Sequence, residues 1–461
     1  MTACDEILSA SWVIPVEGPV LQNGAVVVKD GVILAVLPSE EAKAKYSGVV
    51  VELPGRALMP GLVNAHTHLA MSLLRGVSDD QELIPWLTQT IWPLEGALAD
   101  ENFVKDGATL AAAECIRSGT TTVNDMYWFP HRTAEALCEI GLRALVNVMV
   151  IEFPSQYGSG PEDYIAKGLA SREAMKDQPL LGWTVAPHAP YTVTDATFER
   201  VKQVSEEHGL PVHVHLHETS VECDASEKLD TTALACHKSE HKLRPFQNLN
   251  RIGLVNEKLI AVHMTCLTDE EIKVVAEKKV SIVHCPTSNL KLASGFCPVA
   301  KLVAQGVNVA IGTDGQSSNN TVDMMAEMKL AAILAKGASH DPKAVPAQEA
   351  LRMATINGAK ALHLADKIGS LEVGKQADII AINLDTIETT PVPVVADSTK
   401  GFDPVTHVVY SSTRDQVTDV WVAGKRLLEA RQLKTVDEAR LKQIGADYTA
   451  KVMEVMAGNA K

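Results

Sequence analysis

The sequence predicts an α/β protein in which a (β/α)8 TIM-like barrel is joined to a small β-sandwich domain built from both termini. Three observations lead to this fold. Eight short apolar runs recur between residues 60 and 315, with helical patterns between them, and each run ends in polar residues. Strands that alternate with helices form parallel sheets, and eight of them can close a barrel. The flanking stretches instead show short alternating strands separated by turn residues.

This difference in sequence pattern divides the chain into four predicted segments. Residues 1–57, with runs such as GAVVVKDGVILAVL and turns at NG and DG, form the N-terminal part of the sandwich. Residues 58–365 form the barrel. Residues 366–430, which contain GSLEVGKQADIIAINL and VTDVWVAGKRLL, form the C-terminal part of the sandwich, and 431–461 form a helical tail. Residues 222–257 interrupt the barrel pattern, and they are predicted to form an extended loop with a helix.

The predicted barrel strands lie, in chain order, in PGLVNAHTH, TTTVNDMY, ALVNVMVIEF, GWTVAPHAPY, PVHVHLHE, LIAVHMTC, VSIVHCPTSN and NVAIGTDG. Amphipathic segments fill the gaps, such as DENFVKDGATLAAAECIRSG after the first strand and DATFERVKQVSEEHG after the fourth. Several of them begin near Asp or Thr and end at Gly, which are the usual N-cap and C-cap residues of helices.

Composition excludes several classes of function. Acidic residues outnumber basic ones by 57 to 42, and this net charge of −15 disfavours binding to nucleic acids or anionic membranes. No run approaches the roughly 18 apolar residues that a membrane span needs. The eight cysteines lack C-x-x-C spacing, and the first residues lack a basic segment before an apolar stretch. A soluble cytoplasmic protein with reduced thiols is therefore predicted.

Histidines at two strand ends indicate a metal site. His66 and His68 are two residues apart, so a strand places both side chains on one face. The fifth run contains His213, His215 and His217. We select His215 because it lies nearest the carboxyl end of the strand; His213 is expected deeper in the barrel, and His217 is expected to point elsewhere.

Asp314 ends the eighth run and completes the predicted ligand set. A carboxylate at the end of an apolar strand needs a partner, and a divalent cation is a good one. Three histidine nitrogens and one carboxylate oxygen suit zinc or another borderline divalent ion. The fourth run does not end in a lysine that could bridge a second metal. One divalent ion per chain is therefore predicted, with Zn²⁺ preferred.

These motifs together resemble the amidohydrolase superfamily. The resemblance rests on the H-x-H at 66–68, the H-x-x-E at 215–218, His263 after the sixth strand and the T-D-G at 313–315. The strings PGLVNAHTHLAMSLLRG, WPLE, PHAPYT, HCPTSNLKL and TDGQSSNN are similar to those of its 5′-methylthioadenosine/S-adenosylhomocysteine deaminase family. The similarity extends over nearly the whole chain.

The resemblance implies a zinc-dependent aminohydrolase that converts the 6-amino group of an adenine nucleoside to the inosine analogue and ammonia. A bound divalent ion lowers the pKa of its water toward about 7. Glu218 would accept the proton and pass it to the purine ring, as glutamates do in other zinc deaminases. His263 would hold the hydroxide, and Asp314 is a second candidate for taking its proton. Without the resemblance, His263 would be interpreted as a core histidine.

Three further residues match substrate contacts of the family. The resemblance implies that Glu95 accepts ribose hydroxyls, His188 contacts the purine, Trp86 closes over the ligand and Glu218 also touches it. From the residues alone, Glu95 would be an ordinary acid on a helix surface and Trp86 an ordinary core residue.

One string departs from the family pattern. Some members place arginines after the third strand to hold the homocysteine carboxylate, and NVMVIEFPSQYGSGPED contains none. Methylthioadenosine and adenosine are therefore preferred over S-adenosylhomocysteine. Arg244 or an arginine from a neighbouring subunit is an alternative source of the charge.

Two other functions stay open at this point. Related amidohydrolases act on guanine, cytosine or triazines. An amidohydrolase-fold scaffold without catalysis is disfavoured, because such a scaffold would be expected to lose metal ligands or the proton shuttle. The expected partner is a small purine nucleoside, with no nucleic acid and no membrane, and homo-oligomerisation is left open.

Overall fold

The computed structural model describes residues 1–229, 241–394 and 401–459, and two sheets dominate it. The strands are β1 (Thr2–Val13), β2 (Leu21–Lys29), β3 (Val32–Pro38), β4 (Tyr46–Pro60), β5 (Leu62–His68), β6 (Thr120–Asp125), β7 (Arg143–Val150), β8 (Leu181–Pro187), β9 (Val212–Leu216), β10 (Leu259–His263), β11 (Ser281–His284), β12 (Val309–Ile311), β13 (Asp314–Gly315), β14 (Ile379–Asn383), β15 (Val417–Val422), β16 (Lys425–Glu429) and β17 (Gln432–Leu433).

Strands β5 to β13 form the barrel. They lie in the order β12-β11-β10-β9-β8-β7-β6-β5-β13, and every neighbouring pair is parallel. Strands β12 and β13 both come from the eighth predicted run. The end of this run, β13, pairs with β5, with Asp314 opposite Thr67, and this pairing closes the barrel. Gly312 permits this closure because a Cβ there would lie 2.9 Å from the backbone of His66. Each of the eight predicted runs contains its strand, apart from the first residue of β7 and of β8, and the predicted fold class is confirmed.

The helices lie around the barrel and in its loops, except for the first, which packs against β1, β2, β3 and β4. They are α1 (Ser39–Lys45), α2 (Leu83–Trp86), α3 (Trp92–Leu98), α4 (Glu101–Arg117), α5 (Pro130–Ile140), α6 (Pro161–Ala174), α7 (Asp195–His208), α8 (Ser220–Lys228), α9 (Pro245–Ile252), α10 (Asp269–Glu277), α11 (Pro286–Lys291), α12 (Val299–Ala304), α13 (Gln316–Asn319), α14 (Met324–Ser339), α15 (Ala347–Met353), α16 (Ile356–Ala361), α17 (Pro404–Thr406) and α18 (Glu438–Asn459). Short 3-10 helices span Leu69–Leu74 and Arg414–Gln416, and π-helical turns span Leu87–Ile91 and His407–Ser411.

The predicted helix ends have a clear chemical basis. Thr268 begins α10 with a capping box in which its side chain and that of Glu271 each bind the other's backbone N–H. Gly141 and Gly209 follow α5 and α7 at φ values of 89° and 67°. Glycine adopts this left-handed conformation without the steric cost of a Cβ, so the helices end there.

Strands from both termini build the second sheet, in the order β17-β16-β15-β14-β4-β1-β2-β3. The sheet curls so that Trp421 of β15 packs in one apolar cluster with Val26 and Val28 of β2. This arrangement agrees with the predicted sandwich built from both ends. Because β4 passes directly into β5, the sheet anchors the strand that carries the first two predicted metal ligands. The four domain boundaries stay predictions.

The 222–257 interruption contains parts of α8 and the whole of α9. Residues 230–240, with His237, lie outside the described residues. The seven cysteines within the described ranges are free thiols. In the same ranges, no helix is long and apolar enough to cross a membrane.

Candidate active site

The four predicted metal ligands meet at the carboxyl ends of three strands. His66 and His68 end β5, His215 lies on β9 and Asp314 begins β13. Their ligand atoms all lie within 4.8 Å of one another, and all four side chains are largely shielded from solvent. The barrel therefore collects ligands that are about 250 residues apart in sequence into one group that could hold a metal ion.

The hydrogen bonds of the three histidines fit a metal ion. Nδ1 of His68 lies 2.6 Å from the carbonyl oxygen of Met126, and Nδ1 of His215 lies 2.7 Å from that of His188. A carbonyl only accepts, so both Nδ1 atoms carry a proton, and each Nε2 is left to bind either a metal ion or a second proton. These Nε2 atoms lie 3.2 Å apart, and that of His66 is also 3.2 Å from that of His215. Ring nitrogens at this distance need a proton or a metal ion between them, and the donor set suits zinc.

Further contacts orient the other two ligands. Nδ1 of His66 lies 2.8 Å from Nε2 of His213, which is buried below it as predicted. Oδ1 of Asp314 lies 3.1 Å from Nε2 of both His66 and His68. The hydroxyl of Ser288 donates to the other carboxylate oxygen, Oδ2, at 2.6 Å. Asp314 is thus fixed with one oxygen toward the histidines.

Electrostatics also favour a positive ion at this position. Burial disfavours a charged His68, but the hydrogen bond and the charge of Asp314 outweigh burial and raise its pKa to about 9. The pKa of the Asp314 carboxyl is held well below its usual range because its bonds to His66 and His68 outweigh desolvation. The buried carboxylate therefore requires a counter-charge, which a proton or a divalent ion can supply.

Glu218 lies beside this group, at the start of the loop after β9. Its backbone N–H donates to Glu222 at 2.8 Å, and its carbonyl accepts from the hydroxyl of Thr265 at 2.7 Å. Its side chain is 4% exposed and lines the cleft above the metal ligands. Burial, and then repulsion from Asp314, raise its pKa to about 8. A carboxyl with this pKa can both accept and release a proton near neutrality.

His263 ends β10 and is fixed from behind by Asn289. Its Nδ1 lies 2.8 Å from Oδ1 of Asn289, and its Nε2 lies 3.8 Å from Oε2 of Glu218. The amide oxygen accepts a hydrogen bond, so Nδ1 carries the proton and Nε2 faces the cleft as an acceptor. Burial lowers the pKa of His263, which keeps it neutral.

A cleft of about 70 Å³ extends from the metal ligands toward the helices after β5. All the predicted substrate-contacting residues line it: Trp86, Glu95, His188 and Glu218. The hydroxyl of Tyr127 donates to Oε1 of Glu95 at 2.7 Å, which leaves Oε2 for a ligand. Burial raises the pKa of Glu95 to about 7. The indole N–H of Trp86 is buried without a hydrogen-bond partner among the described residues.

His188 has two different roles in the geometry. Its carbonyl oxygen accepts from Nδ1 of His215, and its ring lines the cleft. Nδ1 of the ring lies 2.9 Å from the hydroxyl of Thr192, which itself donates to a carbonyl. The ring therefore donates from Nδ1 and offers Nε2 to the cleft as an acceptor. Burial lowers its pKa to about 3 and keeps it neutral.

Two residues considered from the sequence lie away from the cleft lining. His217 adopts φ 52°, and its Nε2 accepts from the backbone N–H of Phe246 at 3.0 Å, so it points elsewhere as predicted. The guanidinium of Arg244 binds the buried carboxylate of Glu271, with Nε 2.8 Å from Oε1. It is engaged in this ion pair and is not among the described residues that line the cleft.

Several residues that support the site were not predicted from the sequence: Tyr127, His188 through its carbonyl, Ser288 and Asn289. Ser288 and Asn289 lie in the string HCPTSNLKL, which carried the resemblance without an assigned role. Asn289 is the fourth residue of α11, directly after a barrel strand, and this position at the mouth of the barrel was the available signal for a role in the site. Tyr127 gave no such signal, because an aromatic residue after a strand is usually part of the core.

Comparisons with known proteins agree with this geometry. Residues 57–427 match the model of the amidohydrolase family. The chain is 41% identical over 454 residues to the 5-methylthioadenosine/S-adenosylhomocysteine deaminase of Teredinibacter turnerae, covering 98% of both chains. It is 38% identical over 418 residues to the 5'-deoxyadenosine deaminase of Methanosphaera stadtmanae, covering 91% of this chain and 92% of that protein.

A solved structure is similar over the same extent. The adenosine deaminase of Xanthomonas campestris with bound zinc is 46% identical and superposes with a TM-score of 0.92, covering 98% of this chain and 99% of that one. The family match spans more than half of the chain, and the relatives match more than nine-tenths of its length. The chain belongs to the amidohydrolase family.

Proposed function

We propose that this protein is a zinc-dependent hydrolytic deaminase of adenine nucleosides, with 5′-methylthioadenosine and adenosine as the preferred substrates. One observation carries the proposal: the cleft joins a four-ligand metal group and the carboxyl of Glu218 at one end to the carboxyl of Glu95 at the other. A deaminase acting on a bare base would not need the second carboxylate. Relatives named as adenine-nucleoside deaminases support the same substrate class.

Each residue of the site has a role in this proposal. A divalent ion held by His66, His68, His215 and Asp314 would supply a hydroxide at neutral pH. Glu218 accepts the proton of the attacking water and delivers it to a ring nitrogen of the purine, and then assists the departure of ammonia. His263 accepts a hydrogen bond through Nε2 and orients the water for attack on C6.

Residues on the other side of the cleft recognise the substrate. Glu95, oriented by Tyr127, accepts hydrogen bonds from the ribose hydroxyls. His188 contacts the purine through Nε2, and Trp86 covers the ligand. A site with a buried acceptor discriminates strongly against analogues that lack the matching hydroxyl, because the acceptor is then left unpaired. Guanine, cytosine and triazines lack a ribose, and the Glu95–Tyr127 pair favours a nucleoside over them.

A substrate panel tests the proposal. Purified zinc-loaded protein is incubated with adenosine, 5′-methylthioadenosine, guanine, cytosine and melamine, while loss of adenine absorbance and release of ammonia are followed together. We expect turnover of both nucleosides, with kcat/KM at least about 100-fold above that for any bare base. Faster turnover of guanine, cytosine or melamine, or no turnover of either nucleoside at full metal loading, would refute the proposed substrate class.

The role of Glu95 predicts a specific pH dependence. Its pKa is about 7, so above pH 7 it is a carboxylate that accepts two hydroxyl hydrogen bonds, and below pH 7 its acceptor strength falls. The ratio of kcat/KM for adenosine to that for 2′-deoxyadenosine should therefore rise about tenfold from pH 6 to pH 8. Taking the ratio cancels ionisations that affect both substrates equally, including that of Glu218.

Two variants test the assignment of this titration. Glu95→Gln should give a ratio that is low and independent of pH. Tyr127→Phe removes the phenol whose hydrogen bond lowers the pKa of Glu95, so the rise should move to higher pH. A wild-type ratio that is flat across this range would contradict the contact between Glu95 and the 2′-hydroxyl.

The location and the partners of the protein also stay proposals. We propose a cytoplasmic enzyme, which the seven free thiols support. The proposed partner is a small purine nucleoside.

A further inference from the structure

A second cavity lies between α4 and α18, and we name it the arginine cavity. Its volume is about 420 Å³, within the range of about 300–1,000 Å³ that small-molecule pockets usually have. One face of each helix lines it, together with the turn between β16 and β17 and the 3-10 helix Arg414–Gln416. None of the described residues that line it also lines the active-site cleft, so the two spaces are separate.

The charge of the arginine cavity is opposite to that of the whole chain. Five basic side chains line it, namely Arg75, Arg117, Arg414, Arg431 and Lys442. Three acidic side chains, Glu114, Asp415 and Glu438, also line it, so the lining has a formal charge of +2 in a chain of net charge −15. Burial, and then the charge of Arg117, lower the pKa of Arg431, as expected where guanidinium groups repel one another. An anion in the cavity would relieve this repulsion.

The ion pairs within the cavity leave guanidinium donors unused. Nη1 of Arg117 makes both hydrogen bonds to the Glu438 carboxylate, at 3.1 and 3.2 Å, and Nη1 of Arg414 donates to Oε1 of Glu114 at 3.0 Å. Nη2 of Arg117 and Nη2 of Arg414 have no hydrogen-bond partner within the described part of the chain. Both side chains are 40% exposed. These donors can therefore reach an anion that enters from solvent.

Part of the lining is apolar and leaves room for a ring. Leu110 on α4, Leu433 on β17 and Leu441 on α18 contribute this part. Gly445 follows Leu441 by one helical turn, and a Cβ at this position would meet nothing within 4 Å. Glycine inside a helix costs about 1 kcal/mol relative to alanine. At this position of α18 it leaves open space along the cavity wall.

We propose that the arginine cavity binds a phosphate monoester that carries an apolar ring, the class to which nucleoside monophosphates belong. A phosphate dianion matches the formal charge of the lining. Its three terminal oxygens can accept from donors on three separate elements, which are Arg117 on α4, Arg414 on the 3-10 helix and Lys442 on α18. A carboxylate offers only one charge and two oxygens. The ring packs against the leucines, where burial of its apolar surface stabilises the complex.

Calorimetric titration with ligands that lack adenine tests the inference independently of the proposed function. Uridine 5′-monophosphate carries both groups, inorganic phosphate lacks the ring and uridine lacks the phosphate. We expect the monophosphate to bind at one site per chain, at least about tenfold more tightly than either fragment, with an affinity that falls as salt is added. Equal affinity for the monophosphate and either fragment, or no binding of the monophosphate at about 1 mM, would overturn the proposal.

Two variants test the location of the site. Arg117→Gln removes unused donors and should raise Kd for uridine 5′-monophosphate by about tenfold or more. Gly445→Leu fills the cavity without changing its charge, favours the helix, and should raise Kd by a similar factor. Arg200→Gln is the matched control, because Arg200 forms an ion pair with Glu162 on the surface and does not line the cavity. An unchanged Kd in both cavity variants, with native folding shown by circular dichroism, would rule out this site.

Discussion

Replacing Glu218 by glutamine is expected to lower kcat by about 10²- to 10⁴-fold while the protein keeps its metal. Glutamine has nearly the same shape but cannot accept and release a proton near neutrality. The carboxyl is well suited to this task, since burial and the neighbouring Asp314 raise its pKa to about 8. Glu218 is not one of the four grouped ligands, so metal content should stay near one ion per chain. Steady-state kinetics and elemental analysis of the same preparation measure both quantities.

Glu222→Gln is the matched control for this substitution. Glu222 lies one helical turn further along, is 2% exposed, and also has a pKa raised to about 8 by burial. It accepts a hydrogen bond from the backbone of Glu218 and does not line the cleft, and a glutamine oxygen can accept the same bond. Its kcat should fall by less than about tenfold. Comparable losses in the two variants, or more than a tenth of wild-type activity in Glu218→Gln, would rule out the proton-shuttle role.

Removing a metal ligand should have a similarly large effect with a different signature. In His215→Ala the remaining lone pairs no longer surround the site, so metal content should fall below about 0.1 ion per chain and kcat by about 10⁴-fold or more. A bound ion also stabilises the folded state by about 4 kcal/mol when its free concentration is 1,000 times Kd, so the variant should lose the metal-dependent rise in Tm. Elemental analysis and thermal unfolding with and without added zinc provide the measurements.

His217→Gln tests whether the effect belongs to the ligand or to any buried histidine at this strand end. His217 is only two residues away and fully buried, but it binds the backbone of Phe246. Its variant should keep the metal and most of kcat, with a loss of about 1–3 kcal/mol in the free energy of unfolding from the disturbed buried bond. Full zinc content in His215→Ala, or loss of zinc in His217→Gln, would reverse the assignment of the two histidines.

Several parts of the site were predictable because they depend on local periodicity. A spacing of two places His66 and His68 on one face of any strand. The apolar run before Asp314 buries its backbone, and a carboxylate at that position then requires a partner. The choice of His215 over its neighbours followed from its height on β9. The fold could be predicted in the same way. Each apolar run is shorter than a typical helix and is therefore assigned as a buried strand, and helical patterns lie between the runs.

Other features depend on contacts between distant segments. The bond between His66 and His213 joins β5 to β9, and three other strands lie between these two in the barrel sheet. Asn289 reaches His263 from the next strand's helix, and Tyr127 reaches Glu95 across a loop. A single sequence contains no distances between such segments, so the residues that orient the site could not be chosen from the many polar residues at strand ends.

The sequence by itself determined the eight strands, the four metal ligands as a set, Glu218 beside them and the lack of arginine after the third strand. Only the tertiary structure decided in which direction the last side chains of the strands point and which helix the loop after the third barrel strand, β7, contacts. His217, His263 and Asp314 all adopt positive φ, which is uncommon outside glycine and rotates each side chain away from the direction that a regular strand would give it. The loop after β7 likewise meets α3 only in the folded chain, where the amide of Gln156 donates to the carbonyl of Gly96 at 3.0 Å. Local propensity sets the period of a segment, whereas packing between segments sets where its last side chains point.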